Sequence, residues 1–278
     1  MLSTDDHRRD SAGLRYVYPV ISRRAGGVSI GINLNTNNAC NWACVYCQVD
    51  NLTRGGPPPI DLDLLESELA GFLEDALHGD FMSRQVPADA RRLMDVAFSG
   101  NGEPTSAPEF AEAVERVGNV LRRFGQQGNL VVRLITNGSL MHRPEVQAGI
   151  RLLGELGGEV WFKIDRAEPD DIAAINGVPL LPEKMARHLE VCAALAPTWV
   201  QTCWFALDGE APSATARDAY CQLLKPLAGR LAGIHLYGLA RPSMQPAAPR
   251  LGRLAAEELA AFAKEVHEKT GIRVTISP

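Results

Sequence analysis

A regular alternation of two hydrophobic patterns is the feature that most constrains how this chain can fold. Short runs rich in β-branched and aromatic residues predict strands, and the stretches between them carry apolar residues at helical spacing. The predicted strands are 28–34, 94–99, 130–136, 159–164, 199–207, 233–239 and a short last one at 273–276. The predicted helices are 62–77, 108–124, 144–156, 182–195, 215–227 and 253–269.

This strand–helix repetition predicts an α/β fold with parallel strands joined by right-handed crossovers. Six such units can close into a partial barrel or form an open doubly wound sheet, and periodicity does not choose between the two. In both folds the functional residues gather at the carboxyl ends of the strands. We expect a lead-in at 1–27, the strand–helix domain at 28–252, and a helix and short strand at 253–278 packed on that domain.

Composition narrows the class of protein. The chain has 278 residues, of which 46% are hydrophobic and 22% are charged, values that are typical of a globular protein. Its net charge of −5 gives no electrostatic footprint for nucleic acid. The first ten residues do not resemble a signal peptide, and no apolar run reaches the roughly 18 residues of a membrane helix. We therefore expect a soluble cytoplasmic protein without membrane or nucleic-acid partners.

Three of the six cysteines, Cys40, Cys44 and Cys47, are clustered shortly after the first predicted strand. Thiolates are soft ligands that favour zinc, copper(I) and iron–sulfur clusters. Three thiolates are one short of a closed set, and an open coordination position is typical of a working site. Two alternatives stay open, namely three buried structural thiols on one helix face and a zinc knuckle with a remote fourth ligand. The asparagine-rich approach favours a polar loop over a buried helix.

The C-x3-C-x2-C spacing after the first strand resembles the signature of the radical S-adenosylmethionine (SAM) superfamily. The resemblance implies that the three cysteines bind a [4Fe–4S] cluster whose open iron is chelated by the amino and carboxylate groups of SAM. The family pattern has an aromatic residue just before the third cysteine, and Tyr46 fills this place. By the same resemblance, Tyr46 lies against the adenine of SAM.

Later segments resemble the companion motifs of this superfamily. Gly102-Glu103-Pro104 is similar to the end of the G-G-E-P motif that holds the SAM amino group. Asn101 replaces the glycine that comes directly before this segment in the family, so that the sequence here is Gly-Asn-Gly-Glu-Pro. Taken alone, this segment reads as an ordinary glycine-rich turn. Asn137 in Thr136-Asn137-Gly138 stands where the family has a polar contact to the ribose, although Asn-Gly is by default a plain turn.

Two further strands carry expected cofactor contacts. Lys163 and Asp165 stand where family members often have Ser-Leu-Asp. Lys163 could pair with the SAM carboxylate or extend to solvent. Gln201, in Val200-Gln201-Thr202, completes the expected cofactor-binding residues.

A narrower resemblance links three segments of the chain. Residues 18–33, Val200-Gln201-Thr202 and residues 236–242 resemble landmarks of the wyosine-base-formation-like iron–sulfur oxidoreductases. This likeness spans about residues 16 to 245 and favours the partial (β/α)6 barrel of the radical SAM type, with short N- and C-terminal extensions, over an open sheet. Candidate substrate contacts are Arg23, Arg24, Tyr237 and Arg241, all of which could equally be solvated or core residues. No catalytic residue is predicted.

The implied reaction is reductive cleavage of SAM to methionine and a 5′-deoxyadenosyl radical, which takes a hydrogen atom from a small-molecule or peptide substrate. The partner would be a one-electron donor that resembles flavodoxin or ferredoxin. Two alternatives remain. Modification of a tRNA base of the wyosine type is disfavoured by the net charge of −5. A non-enzymatic iron–sulfur or zinc protein would give the Gly102-Glu103-Pro104 segment no role. Cys192 and Cys221 are predicted to be packing residues. Cys203, on the fifth predicted strand, could face the barrel interior, but one cysteine cannot make a second cluster.

Overall fold

The structure is a computed structural model that describes residue 2 and residues 13–22 and 26–277. The chain divides into two compact units. The first unit comprises Met1–Asn41, Gly55–Ile135 and Arg143–Glu159, and the second comprises Trp42–Arg54, Thr136–His142 and Val160–Pro278.

The first unit is a four-stranded sheet with helices. Its strands are β1 (Val17–Ser22), β2 (Gly27–Ile32), β3 (Leu93–Phe98) and β4 (Val131–Thr136), in the order β1-β2-β3-β4, and the last residue of β4 falls in the second unit. Its helices are α1 (Leu62–His78), α2 (Phe81–Gln85), α3 (Phe110–Arg123) and α4 (Pro144–Glu155). β1 is antiparallel to β2, and β2, β3 and β4 are parallel.

Strand register decides where the loops of the first unit leave the sheet. Ile32 pairs with Phe98, and Phe98 pairs with Leu134. Because these residues lie at the carboxyl ends of parallel strands, the loops that follow β2 and β3 start at the same edge of the sheet. All six residues of β2 are buried, which suits a central strand covered on both faces.

The second unit is also a sheet with helices. Its strands are β5 (Glu159–Lys163), β6 (Thr198–Cys203), β7 (Gly233–Tyr237) and β8 (Val274–Ser277), which are parallel and lie in that order, and Glu159 itself falls in the first unit. Its helices are α5 (Pro169–Asn176), α6 (Pro182–Leu195), α7 (Ala214–Leu224) and α8 (Ala256–Thr270). A small antiparallel pair joins Ala206–Leu207 to Leu251–Gly252.

The predicted strands and helices all form, with ends that shift by a few residues, and the predicted parallel pairing is confirmed. One predicted strand, 199–207, is interrupted after Cys203, and its end pairs separately with Leu251–Gly252. The elements β1, α2 and α5 are among those that were not predicted. The eight-residue α5 begins with Pro169 and ends at Gly177, whose φ of +66° places it in the left-handed region. In the part of the chain that the structure describes, no helix is both long and apolar enough to cross a membrane.

Candidate functional site

Two buried asparagines organise the loops that leave the first unit. Asn33 Oδ1 accepts hydrogen bonds from the backbone N–H of Asn35 and of Asn101, both at 3.1 Å. Asn35 Nδ2 donates to the carbonyl of Ala39 at 3.0 Å and to Ser106 Oγ at 3.4 Å. The loop that leads to the cysteines is therefore tied to the glycine-rich loop after β3 by side-chain amides.

Close backbone contact explains the glycines of this second loop. A Cβ atom on Gly102 would lie 2.1 Å from the carbonyl oxygen of Ala39 and 2.6 Å from the Asn35 side chain. A Cβ atom on Gly100, which has a φ of +147°, would lie 2.3 Å from Asn33 Oδ1. No side chain fits at either place without moving backbone or a buried amide. The glycines therefore allow the two loops to touch.

Asn101 stands where the related motif has a glycine, and the structure gives its side chain a partner. Its Nδ2 donates to Asn38 Oδ1 at 2.6 Å. Asn38 has a φ of +55°, a backbone conformation that asparagine tolerates better than most residues. The departure from glycine thus adds a further side-chain hydrogen bond between the two loops.

Glu103 is held firmly at the end of this loop. Its side chain is buried, and Oε1 accepts from Thr105 Oγ1 at 2.6 Å and from the Thr105 backbone N–H at 3.1 Å. Ser106 Oγ donates to the Glu103 carbonyl at 2.5 Å. Glu103 thereby caps the 3-10 turn Pro104–Ser106. The carboxylate is fixed in place, which suits a contact to a cationic ligand group.

The segment with Cys44 and Cys47 lies in the second unit and is bound by the end of α5. The backbone N–H of Ala43 donates to the Asn176 carbonyl at 3.1 Å, and that of Val45 donates to the Ile175 carbonyl at 2.9 Å. A Cβ atom on Gly177 would lie 2.8 Å from the Ala43 carbonyl oxygen. Glycine at this position permits both the left-handed backbone and the close approach.

A second segment binds the carbonyl groups of the same loop. Ser243 Oγ donates to the Val45 carbonyl at 2.7 Å, and the Met244 backbone N–H donates to the Cys47 carbonyl at 2.9 Å. Gln245 Nε2 donates to the Val49 carbonyl at 2.8 Å. The cysteine loop is therefore held from outside, with α5 accepting from its N–H groups and residues 243–245 donating to its carbonyls.

Asp165 is a buried acceptor for three groups of the second unit. Its Oδ2 accepts from Tyr46 Oη at 2.5 Å and from Asn176 Nδ2 at 2.9 Å. Its Oδ1 accepts from the Cys203 backbone N–H at 2.9 Å, and the residue is 1% exposed. Because protein donors occupy both carboxylate oxygens, the observed role of Asp165 is to position Tyr46 and its other donors.

Lys163 lies between two aromatic rings. Its Nζ is 5.0 Å from the centroid of the Tyr46 ring and donates to Tyr237 Oη at 3.1 Å. Burial disfavours the charge, but the summed effect of the acidic neighbours, to which Asp165 contributes most, outweighs burial and raises the pKa of the Lys163 ammonium. The structure thus favours a fixed positive charge over a side chain extended to solvent. Gln201 is the register partner of Lys163 on β6 and is buried.

The three motif cysteines differ in environment from the other three. Cys40, Cys44 and Cys47 are half-buried, whereas Cys192, Cys203 and Cys221 are buried, and all six are free thiols. Residues 41–47 contain no helix, so the alternative of three buried thiols on a helix face is wrong. Among the described residues, no three side chains of His, Cys, Asp or Glu gather around a single metal-sized point. Burial raises the pKa of the Cys44 thiol to about 12, so this thiol releases a proton when it binds a metal.

The remaining predicted residues fall at different places. Asn137 Oδ1 accepts from the Ser139 backbone N–H at 3.0 Å, so this side chain shapes its own turn. Arg241 Nη1 donates to Gln48 Oε1 at 3.0 Å and so reaches the cysteine loop. Arg23 and Arg24 lie outside the described residues.

The structure brings Tyr46, Lys163, Asp165 and Tyr237 together in the second unit, and it brings Gly102 and Glu103 beside the loop of Cys40 in the first. Several residues that position these groups are not among the predicted site residues. They are Asn176, Ser243 and Gln245 in the second unit, and Asn33, Asn35 and Asn38 in the first. The Asn-Gly end of α5 was the available signal for Asn176.

No family model matches the chain. A UPF0026 protein of Synechocystis sp. is 24% identical over 201 residues, which cover 67% of this chain and 66% of that protein. A UPF0026 protein of Methanocaldococcus jannaschii is 26% identical over 159 residues, 55% of this chain and 44% of that one. The GTPase Obg of Brachyspira hyodysenteriae is 24% identical over 135 residues, 48% of this chain. The chain spans from 17% to 66% of the length of these curated relatives.

Solved structures give the decisive likeness. A radical SAM methyltransferase from Sphaerobacter thermophilus superposes with a TM-score of 0.60 at 16% identity, covering 94% of this chain and 68% of that one. The chain has the radical SAM fold. The enzyme anSMEcpe with bound AdoMet and a peptide gives a TM-score of 0.54 at 17% identity, covering 89% and 62%. HydG, a maturase of the [FeFe]-hydrogenase, gives 0.53 at 10% identity, covering 89% and 50%.

This likeness confirms the predicted fold class and decides between the partial barrel of the radical SAM type and the open sheet. The comparisons do not single out the wyosine-base-formation-like subgroup, so that part of the assignment stays a prediction. The three-part division at residues 27 and 252 also stays a prediction.

Proposed function

We propose that this chain is a radical SAM enzyme, in which Cys40, Cys44 and Cys47 hold a [4Fe–4S] cluster that cleaves SAM. One observation carries the proposal: the C-x3-C-x2-C spacing occurs in a non-helical loop of a chain with the radical SAM fold. Neither part would suffice alone, because a fold hosts many functions and a cysteine triplet suits several metals.

The donor set suits a thiolate-bound cluster. The three motif cysteines are half-buried, and Cys44 Sγ accepts a hydrogen bond from Asn176 Nδ2 at 3.4 Å. The loop is held by outside hydrogen bonds to both its N–H groups and its carbonyls. A loop that is held by such hydrogen bonds offers its thiols at little ordering cost.

The chain's own residues would bind and orient SAM. The fixed carboxylate of Glu103 would accept a hydrogen bond from the SAM amino group, with Gly102 and Pro104 shaping the backbone around it. Tyr46, held by Asp165, would pack against the adenine, and Asn137 would reach the ribose. The fixed ammonium of Lys163 would attract the SAM carboxylate. Gln201, beside Lys163 in the sheet, would be a further polar contact to SAM.

Cys40, Cys44 and Cys47 would hold the cluster, which would supply one electron for cleavage of the S–C5′ bond of SAM to methionine and a 5′-deoxyadenosyl radical. The electron would come from a flavodoxin- or ferredoxin-like donor. The radical would take a hydrogen atom from a small-molecule or peptide substrate, giving 5′-deoxyadenosine and a substrate radical. Tyr237, beside Lys163, and Arg241, beside the cysteine loop, remain candidate substrate contacts. The net charge of −5 favours a small molecule or peptide over tRNA, because phosphate binding relies on Lys and Arg.

Binding of SAM to the reduced cluster tests this proposal. After anaerobic reconstitution, we expect SAM to change the electron paramagnetic resonance (EPR) spectrum of the reduced protein. Glu103→Gln should weaken the apparent affinity for SAM by about 10-fold, since hydrogen bonds to charged groups contribute about 1.5–3 kcal/mol. Glu112→Gln, which changes an exposed carboxylate on α3, is the matched control and should bind as the wild type does. A loaded cluster whose spectrum ignores SAM would favour a non-enzymatic iron–sulfur protein.

A further inference from the structure

A side chain that is absent from the signature motifs donates to one of the cysteine sulfurs. Asn176, the last residue of α5, donates from Nδ2 to Cys44 Sγ at 3.4 Å and to Asp165 Oδ2 at 2.9 Å. The residue is 2% exposed. A side-chain amide carries two N–H bonds, so it can serve both acceptors at once.

The surroundings fix which way this amide points. Asp165 Oδ2 is an acceptor, and so is a cysteine thiolate. If the amide were reversed, its oxygen would face two acceptors and neither contact could form. The Asn176 carbonyl in turn accepts from the backbone N–H of Ala43, in the same loop as Cys44. Backbone and side chain of Asn176 therefore hold one geometry in which an N–H bond faces the sulfur.

A donor at this sulfur has an electrostatic consequence. Reduction adds one negative charge to a cluster and its thiolates, and hydrogen bonds to the sulfurs are one of the factors that set its reduction potential. An N–H bond stabilises the added charge, and it does so more strongly where water is excluded. The nearby Asp165 carboxylate has the opposite effect, because its negative charge disfavours further negative charge.

We propose that Asn176 raises the reduction potential of the cluster by donating a hydrogen bond to the Cys44 thiolate and by separating that thiolate from the charge of Asp165. The inference rests on the proposed function, because it needs a cluster bound to Cys44. Asn176 is thus a positioning residue that acts on the cluster through its ligand.

The test is an EPR-monitored redox titration of the reconstituted full chain in the absence of SAM. Asn176→Leu keeps the approximate volume and removes the donor, and its midpoint potential should be lower than that of the wild type. Asn176→Asp, measured at a pH at which the added carboxyl is ionised, replaces the donor by a carboxylate oxygen, and its potential should be lower still. Thr202→Val is the matched control, because it removes buried hydrogen bonds to the Ile164 carbonyl and Tyr220 Oη instead. Its potential should equal that of the wild type.

An unchanged potential in both Asn176 variants, with the cluster loaded, overturns the inference. If both variants load too little cluster, the wild type with 15N in its asparagine side-chain amides is measured in the reduced state. Hyperfine coupling of an amide nitrogen to the cluster supports the inference, and its absence overturns it. Because the titration uses no SAM, a cluster that loads but ignores SAM defeats the proposed function and leaves this test readable.

Discussion

Replacing Cys44 with alanine is expected to abolish cluster loading. Iron and sulfide after anaerobic reconstitution should fall to the background of the triple variant Cys40→Ala/Cys44→Ala/Cys47→Ala, and the charge-transfer absorbance should disappear. The reason is that two protein thiolates leave two of the four irons of the cluster without a protein ligand. Single variants at Cys40 and Cys47 should behave in the same way.

The chain supplies a matched control for this experiment. Cys192 is a fully buried thiol on α6, and its Sγ lies 3.5 Å from Thr198 Oγ1. Cys192→Ala removes one thiol of the same chemistry from a packing position, so the variant should load iron like the wild type. Full loading in Cys44→Ala, or a loss in Cys192→Ala equal to that in Cys44→Ala, would contradict the assignment of the ligands.

Gly102→Ala is expected to impair SAM binding. The added Cβ would lie 2.1 Å from the Ala39 carbonyl oxygen, which belongs to the backbone next to Cys40. Backbone cannot rotate away as a flexible side chain can, so the loop of Cys40 and the loop of Glu103 must separate. We expect a loss of about 1–3 kcal/mol in the free energy of unfolding, which is typical of overpacking, and SAM affinity reduced by at least about 10-fold.

Gly71→Ala controls for the general effect of the substitution. Gly71 is an exposed residue within α1, and a Cβ there meets nothing within 4 Å. Alanine should stabilise this helix by up to about 1 kcal/mol and leave SAM binding unchanged. Urea unfolding and SAM titration of the reconstituted proteins measure both quantities. Wild-type affinity in Gly102→Ala would show that the contact between the two loops does not shape the SAM site.

The parts of the fold that sequence analysis predicted are those with a strong periodic signal. Buried strands such as β2 appear in the sequence as continuous apolar runs. Amphipathic helices such as α3 place apolar residues at helical spacing over several turns. Helix α5 has only eight residues, too few for periodicity to separate it from a loop. Its ends nevertheless carry local signals, with Pro169 in the first turn and Gly177 after the last. The missed helix proved to be the one that binds the cysteine loop.

The candidate site shows the same division. Spacing and resemblance indicate the groups that would meet a ligand, such as Cys44, Tyr46 and Glu103. They do not indicate which residues hold those groups, because such partners are far apart in the sequence. Asn176 lies 132 residues from Cys44, and Ser243 lies 198 residues from Val45. Such contacts depend on how the loops pack and carry no local pattern.

The measurement that tests the central claim most directly is chromatography for 5′-deoxyadenosine. The reconstituted protein is incubated anaerobically with SAM and dithionite, beside the triple variant Cys40→Ala/Cys44→Ala/Cys47→Ala. We predict that the wild type forms 5′-deoxyadenosine and methionine in equal amounts and that the triple variant forms neither. A wild type that loads a full cluster, is reduced, and yields no 5′-deoxyadenosine above the level of the variant would contradict the assignment of this chain as a radical SAM enzyme.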